Sequence, residues 1–104
     1  MELQDNEFVL TDGDGAPRKV TLKRRIPLSL APRLPGMMAK YGETGDVNDL
    51  VRVLVLVVES WEFDGQPSDP RAYAQLDIFS EILPMGAKAA EYVGRKLEYA
   101  GAKN

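Results

Sequence analysis

General acid–base chemistry in this chain would fall to Asp, Glu, Lys or Tyr, because its 104 residues include neither cysteine nor histidine. Without imidazole or thiol there is no Ser-His-Asp or Cys-His arrangement to activate a nucleophile. Zinc would be left with carboxylates alone, which hold it poorly, and disulfides cannot form. Carboxylate pairs are the remaining enzymatic option. Glu59, Glu62 and Asp64 bracket the single tryptophan, Trp61, and two carboxylates beside an aromatic side chain can hydrolyse glycosides. Nothing else in the sequence points to a sugar site, and acidic residues at the end of an apolar run are ordinarily just solvated. The segment TDGDGAP resembles the start of a calcium loop, yet Ala16 stands at the third ligand position and Lys23 at the distal one. The calcium pattern wants acidic ligands at both, so a plain hairpin turn is the simpler reading. These residues point to a non-catalytic protein that uses no cofactor and no metal.

Binding is the better-supported class. Arg18, Lys19, Lys23, Arg24 and Arg25 cluster in RKVTLKRR, within a chain whose formal net charge is -3 and whose pI is about 4.9. The cluster either grips phosphate or an acidic protein surface, or is a solvated strand face that guards a sheet edge. The acidic balance disfavours a general nucleic-acid binder. No aromatic residue interleaves with the basic ones, so base stacking is not offered either. Met37 and Met38 give adaptable apolar surface for a partner groove or fill the core. Trp61 covers one end of the core or anchors a partner. Tyr92 and Leu97, on the apolar stripe of the last helix, complete the candidate partner-binding set of Lys19, Lys23, Arg24, Arg25, Met37, Met38 and Trp61.

The elements that must position these residues are legible in outline. At 44% hydrophobic and 28% charged residues, the chain reads as one globular domain with a modest core. Residues 5–23 read as a β-hairpin, with DGDGAP as the turn and Val20 and Leu22 facing one side while Lys19, Thr21 and Lys23 face the other. Residues 27–41 read as a broken helix, bent near Pro35 and stopped at Gly42, since interior proline is poorly tolerated. Residues 46–61 read as a central apolar helix capped by Asp46. Its valine content argues for a strand and its uninterrupted length for a helix; length decides for helix. Residues 69–100 read as C-terminal helices: a short one over Pro70 to Gln75, then one capped by Asp77, kinked near Pro84 and ended at Gly101. The predicted core comprises Leu50, Leu54, Val57, Val58, Trp61, Phe63, Ile78 and Ile82. The predicted fold class is mainly α, a small N-terminal hairpin packed on a bundle of about three to four helices. The start, MELQDNEF, is unlike a signal peptide, and the run Val53 to Val58 is too short to span a bilayer; a soluble cytoplasmic protein with no membrane partner is expected.

One resemblance sharpens the function. A hairpin start, then RRIPLSL, an apolar helix, VESWEFDGQPSDP and acidic-capped C-terminal helices together resemble the tail assembly chaperones of long-tailed, non-contractile bacteriophages. The pattern runs from about Phe8 to Leu97. Its most recognisable piece is Trp61-Glu62-Phe63 followed by Ser68-Asp69-Pro70. The resemblance implies a chaperone that coats the tape measure protein and contacts tail tube subunits. It also implies self-association, activity in the host cytoplasm and absence from the mature virion. Many such phages extend a short form by ribosomal frameshifting, and Ala102-Lys103-Asn104 could be encoded by an A-rich slippery run. Two other readings stay open: a structural tail completion or head–tail connector protein of the virion, and a small nucleic-acid-binding regulator acting through Arg18 to Arg25.

Overall fold

The computed structural model describes the backbone of residues 3–101 and the side chains of residues 3–97. The terminal Ala102-Lys103-Asn104 therefore lie outside the described residues, and the helix stop expected at Gly101 falls at their edge. Strands β1 (Glu7–Thr11) and β2 (Pro17–Leu22) pair antiparallel, with Phe8 opposite Val20 and Leu10 opposite Arg18. Strand alternation sends Phe8, Leu10, Val20 and Leu22 into the core and leaves Val9 outside. The turn organises itself around Asp12. One carboxylate oxygen accepts from the backbone N–H of Asp14 and of Ala16, both at 2.9 Å, and the other accepts from Arg18 Nε at 2.7 Å. Gly15 takes the positive φ of 86° that closes the loop.

Helix α1 (Leu34–Thr44) follows a single 3-10 turn at Ala31–Arg33. Pro32 and Pro35 do not break it. Each sits at the start of its element, where a missing N–H costs nothing. The helix therefore runs through Gly42 without a bend and stops at Gly45, whose φ of 67° is the left-handed cap conformation. Helix α2 (Val47–Val57) starts two residues later. Asp46 caps it by accepting from Asn48 N–H at 2.9 Å, and the adjoining Thr44 hydroxyl donates to Asp49 at 2.7 Å.

The main departure from the expected architecture comes next. The apolar run is helix only to Val57; Val58–Trp61 is strand β3, paired antiparallel with β2. The fold is thus a three-stranded antiparallel sheet in the order β1-β2-β3, with helices packed against it, a mixed α/β domain. It is not a mainly α bundle. The valines carried both signals, and β2's otherwise open edge decided where each won. Pairing there satisfies backbone groups that a longer helix would have left on the sheet. Val58 is buried as the chain crosses from one layer to the other.

Asp69 caps a 3-10 helix at Pro70–Gln75, and Asp77 caps a π-helical turn at Ile78–Ile82 that leads into α3 (Leu83–Gly101). Pro84 explains the wide turn. It has no N–H to offer the carbonyl of Ser80, and its ring would collide with that carbonyl in a regular α-helix. The five-residue bonds Ile82 N–H to Asp77 O and Leu83 N–H to Ile78 O avoid the conflict. Buried Glu81 ties this corner to the hairpin, accepting from Asp77 N–H at 2.7 Å and from Gly13 N–H at 2.9 Å.

The core joins both layers: Phe8, Val20 and Leu22 from the sheet, Leu50, Val53, Leu54 and Val57 from α2, and Met85, Ala89 and Val93 from α3. Of the residues assigned to the core from sequence, Leu50, Leu54, Val57, Val58 and Ile82 are buried, and Trp61 and Phe63 are partly buried against it. Ile78 is not: it is 43% exposed. The π turn widens the helix at that point and moves Ile78 off the stripe that the 3.6-residue period assigned to it.

Candidate functional site

The chain leaves the sheet at Lys23, and two hydrogen bonds set its course. Lys23 N–H donates to Val57 O at 2.8 Å, and Lys23 O accepts from the Tyr92 hydroxyl at 2.9 Å. The second bond pins the segment after β2 onto the C-terminal half of α3. Pro27 then opens a tight turn, its carbonyl accepting from both Leu30 and Ala31 N–H at 2.9 Å. Leu30 tucks against the core, while Leu28 at the tip is 86% exposed.

Between this turn and the end of α3 lies a groove of about 900 Å³, within the size range of ligand sites. Its less exposed lining side chains, Ile26, Ala31, Tyr92 and Leu97, make an apolar floor. The exposed ones make the rim: Arg24, Arg25, Arg95 and Lys96, with Leu28 and, among the described residues, a single carboxylate, Asp5. Arg24 bonds Asp5 at 3.3 Å and Gln4 Oε1 at 3.0 Å. Arg95 stands 3.9 Å from Glu91, and Lys96 Nζ lies 5.3 Å from the centre of the Tyr92 ring. Arg25 has no ion pair among the described residues. Exposed pairs of this kind are worth about 0–1 kcal/mol, so an incoming carboxylate can exchange with them at little cost. A predominantly cationic rim around a low-dielectric floor also concentrates its field on whatever enters.

The structure thus brings together four of the nominated partner-binding residues, Arg24, Arg25, Tyr92 and Leu97, and separates the other five. Tyr92 is only 4% exposed; it holds the groove together and presents little surface to a partner. Lys19 pairs with Glu7 at 3.5 Å, and its backbone N–H donates to Glu62 at 2.6 Å. Lys23 contributes its backbone to the Val57 and Tyr92 bonds. Met37 and Met38 are partly buried on α1. Trp61 belongs to an aromatic cluster, with its ring centre 5.5 Å from that of Phe63 and 4.8 Å from that of Tyr73. Its indole N–H donates to Gly65 O at 2.8 Å. Arg18 lies 5.6 Å from the Phe63 ring centre. The cluster holds the end of β3 onto the 3-10 helix.

Sequence reasoning missed Leu28, Ile26, Ala31, Arg95 and Lys96 as one site. Pro27 and the basic pairs Arg24-Arg25 and Arg95-Lys96 were visible as local signals. Their juxtaposition across some seventy residues of chain depends on the Tyr92–Lys23 bond, which no local pattern announces.

Of the acidic candidates, Asp12 and Glu62 are engaged structurally. Asp12 is consumed by the turn and by Arg18, and the Arg18 hydrogen bond holds its carboxyl below the ordinary Asp value of 3.8. Glu62 accepts from the backbone of Lys19. Among the described residues no three or more acidic side chains are grouped to hold a metal ion, and no helix is long and apolar enough to cross a membrane. Compared with known proteins, the chain matches no family model, no curated protein and no solved structure at a significant level.

Proposed function

We propose that this protein is a non-catalytic assembly chaperone of the phage-tail type. In this reading it binds the tape measure protein and tail tube subunits during tail morphogenesis in the host cytoplasm, self-associates, and is absent from the finished virion. The observation that carries the binding class is the groove after β2, where an apolar floor and an exposed leucine sit inside a cationic rim. A tape measure protein is a long helical chain, and apolar stripes of helices dock in grooves of this kind. The order of hairpin, apolar helix, Trp61-Glu62-Phe63 and Asp-capped C-terminal helices supports the phage assignment within that class. Co-expression with the tape measure protein of the same phage tests it directly. The soluble fraction of the tape measure protein should rise, and mass spectrometry of purified virions should find no stoichiometric copy of the chaperone. Abundant copies in mature particles would overturn the proposal in favour of a structural tail protein.

A further inference from the structure

We infer that the occupant of the groove is an amphipathic helix whose apolar stripe is flanked by Asp or Glu side chains. The inference rests on the groove being the docking surface of the function proposed above. Charge is the first argument. Among the described residues four cationic side chains face one carboxylate at the rim, on a molecule whose formal net charge is -3. The local sign opposes that of the whole, so an acidic partner is steered to this place rather than spread over the surface. The second argument is Leu28. The Pro27 turn leaves it 86% exposed on the rim of the same groove, so an apolar anchor is offered beside the cationic side chains. The third is the absence of a strand edge here. Among the described residues no β-strand lines the groove; its walls are the irregular segment Arg24–Ile26, the Pro27 turn and α3, which favours helix-in-groove docking over addition of a strand to the sheet.

Nucleic acid fits the same groove less well. Strand binding uses aromatic faces on which bases stack. Among the described residues the one aromatic side chain here, Tyr92, is 4% exposed, spends its hydroxyl on Lys23 O, and carries Lys96 over its ring. A phosphate chain would also leave Leu28 and Ile26 without a complement.

The test uses the full chain and a fluorescein-labelled synthetic peptide of roughly 15 residues, long enough to be partly helical alone. Leucines occupy one helical stripe and glutamates flank it; a second peptide replaces every glutamate by lysine, and a single-stranded oligonucleotide serves as the third probe. Fluorescence anisotropy should give the Glu peptide at least about tenfold tighter binding than the Lys peptide, weakening as salt rises. Leu28→Asp and the double change Arg24→Glu with Arg25→Glu should each weaken the Glu peptide about tenfold, with the thermal melt unchanged because all three side chains are exposed. The Arg-to-Glu variant should gain affinity for the Lys peptide. Val9→Asp, which alters an exposed apolar residue on the outer face of the sheet, should leave binding unchanged. Equal affinity for both peptides, tighter binding of the oligonucleotide, or an equal loss with Val9→Asp would overturn the inference. Loss of peptide specificity with tape measure solubilisation intact would sink the groove assignment alone. Specific peptide binding without solubilisation would sink the chaperone reading alone.

Discussion

Gly86→Ala should destabilise the protein even though it puts a better helix former into a helix. Gly86 lies in the second turn of α3 and faces Leu50 of α2. A Cβ at this position would stand 2.8 Å from Leu50 Cδ1 and 2.9 Å from Cγ, and nearer still to Cδ2, where carbon atoms prefer about 3.5–4.0 Å. Leu50 is 3% exposed and cannot swing into solvent, so α2 and α3 must part or Leu50 must leave its rotamer. Overpacking of this kind costs about 1–3 kcal/mol, and alanine returns about 0.5–1 kcal/mol of helix stability. The net loss is about 0–2.5 kcal/mol, centred near 1, and each kcal/mol is roughly 4–8 °C in Tm for a domain of this size. Gly94, on the same helix, is the internal control. A Cβ there meets nothing within 4 Å, so Gly94→Ala should stabilise by about 0.4–1 kcal/mol. Urea melts followed by circular dichroism read both. The stronger check repeats Gly86→Ala in a Leu50→Ala background. Leu50→Ala alone costs about 2–5 kcal/mol, but it vacates the space the new methyl needs, so the sign of the Gly86 change should reverse. A higher urea midpoint for Gly86→Ala in the native background would refute the reasoning, as would the same shift in both backgrounds.

Two further outcomes follow from buried polar groups. The Arg18 hydrogen bond depresses the Asp12 carboxyl below its ordinary 3.8, so its contribution is present above that value and lost as pH falls through the depressed one; Asp12→Asn should lower the urea midpoint at neutral pH and flatten the acid limb, and an acid limb identical to the parent's would contradict the assignment. Tyr73 is 2% exposed and donates to Pro67 O at 2.7 Å, and burial pushes its phenol above the ordinary 10.0. Its contribution is therefore complete below pH 10.0 and lost as pH rises beyond. Tyr73→Phe should cost about 1–2 kcal/mol by orphaning a buried carbonyl and should remove the most alkaline step of the phenolate absorbance titration; survival of that step would reassign it to another tyrosine.

Local chemistry explains which elements were legible. Asp46, Asp69 and Asp77 announced helix starts because a carboxylate can satisfy the first free N–H groups without any distant partner, and all three do so. The alternation of Val20 and Leu22 with Lys19 and Thr21 likewise needs only the pleat of a strand. The stretch Val58 to Trp61 was not legible. Its residues suit either state, and the choice was made by β2, whose edge lies some forty residues earlier in the chain. Pro35 and Pro84 misled in opposite ways. The first is harmless because the helix begins around it, and the second is absorbed by a π turn that displaces Ile78 to the surface.

What the sequence by itself determined is the chemistry the chain lacks and the local punctuation it carries. It has no thiol and no imidazole, and its turn residues and capped apolar segments specified a hairpin at one end and helices after it. Only the tertiary structure decided that the apolar run would split between α2 and β3, turning a helical bundle into a sheet with helices against it. Only the tertiary structure placed Arg24, Arg25 and Leu28 beside Arg95, Lys96 and Leu97. The reason is the same in both cases. Backbone pairing of β3 with β2 and the Tyr92 hydroxyl on Lys23 O are contacts between residues far apart in the chain. Their partners are chosen by which groups burial would otherwise leave unpaired, a condition that exists only once the chain has packed.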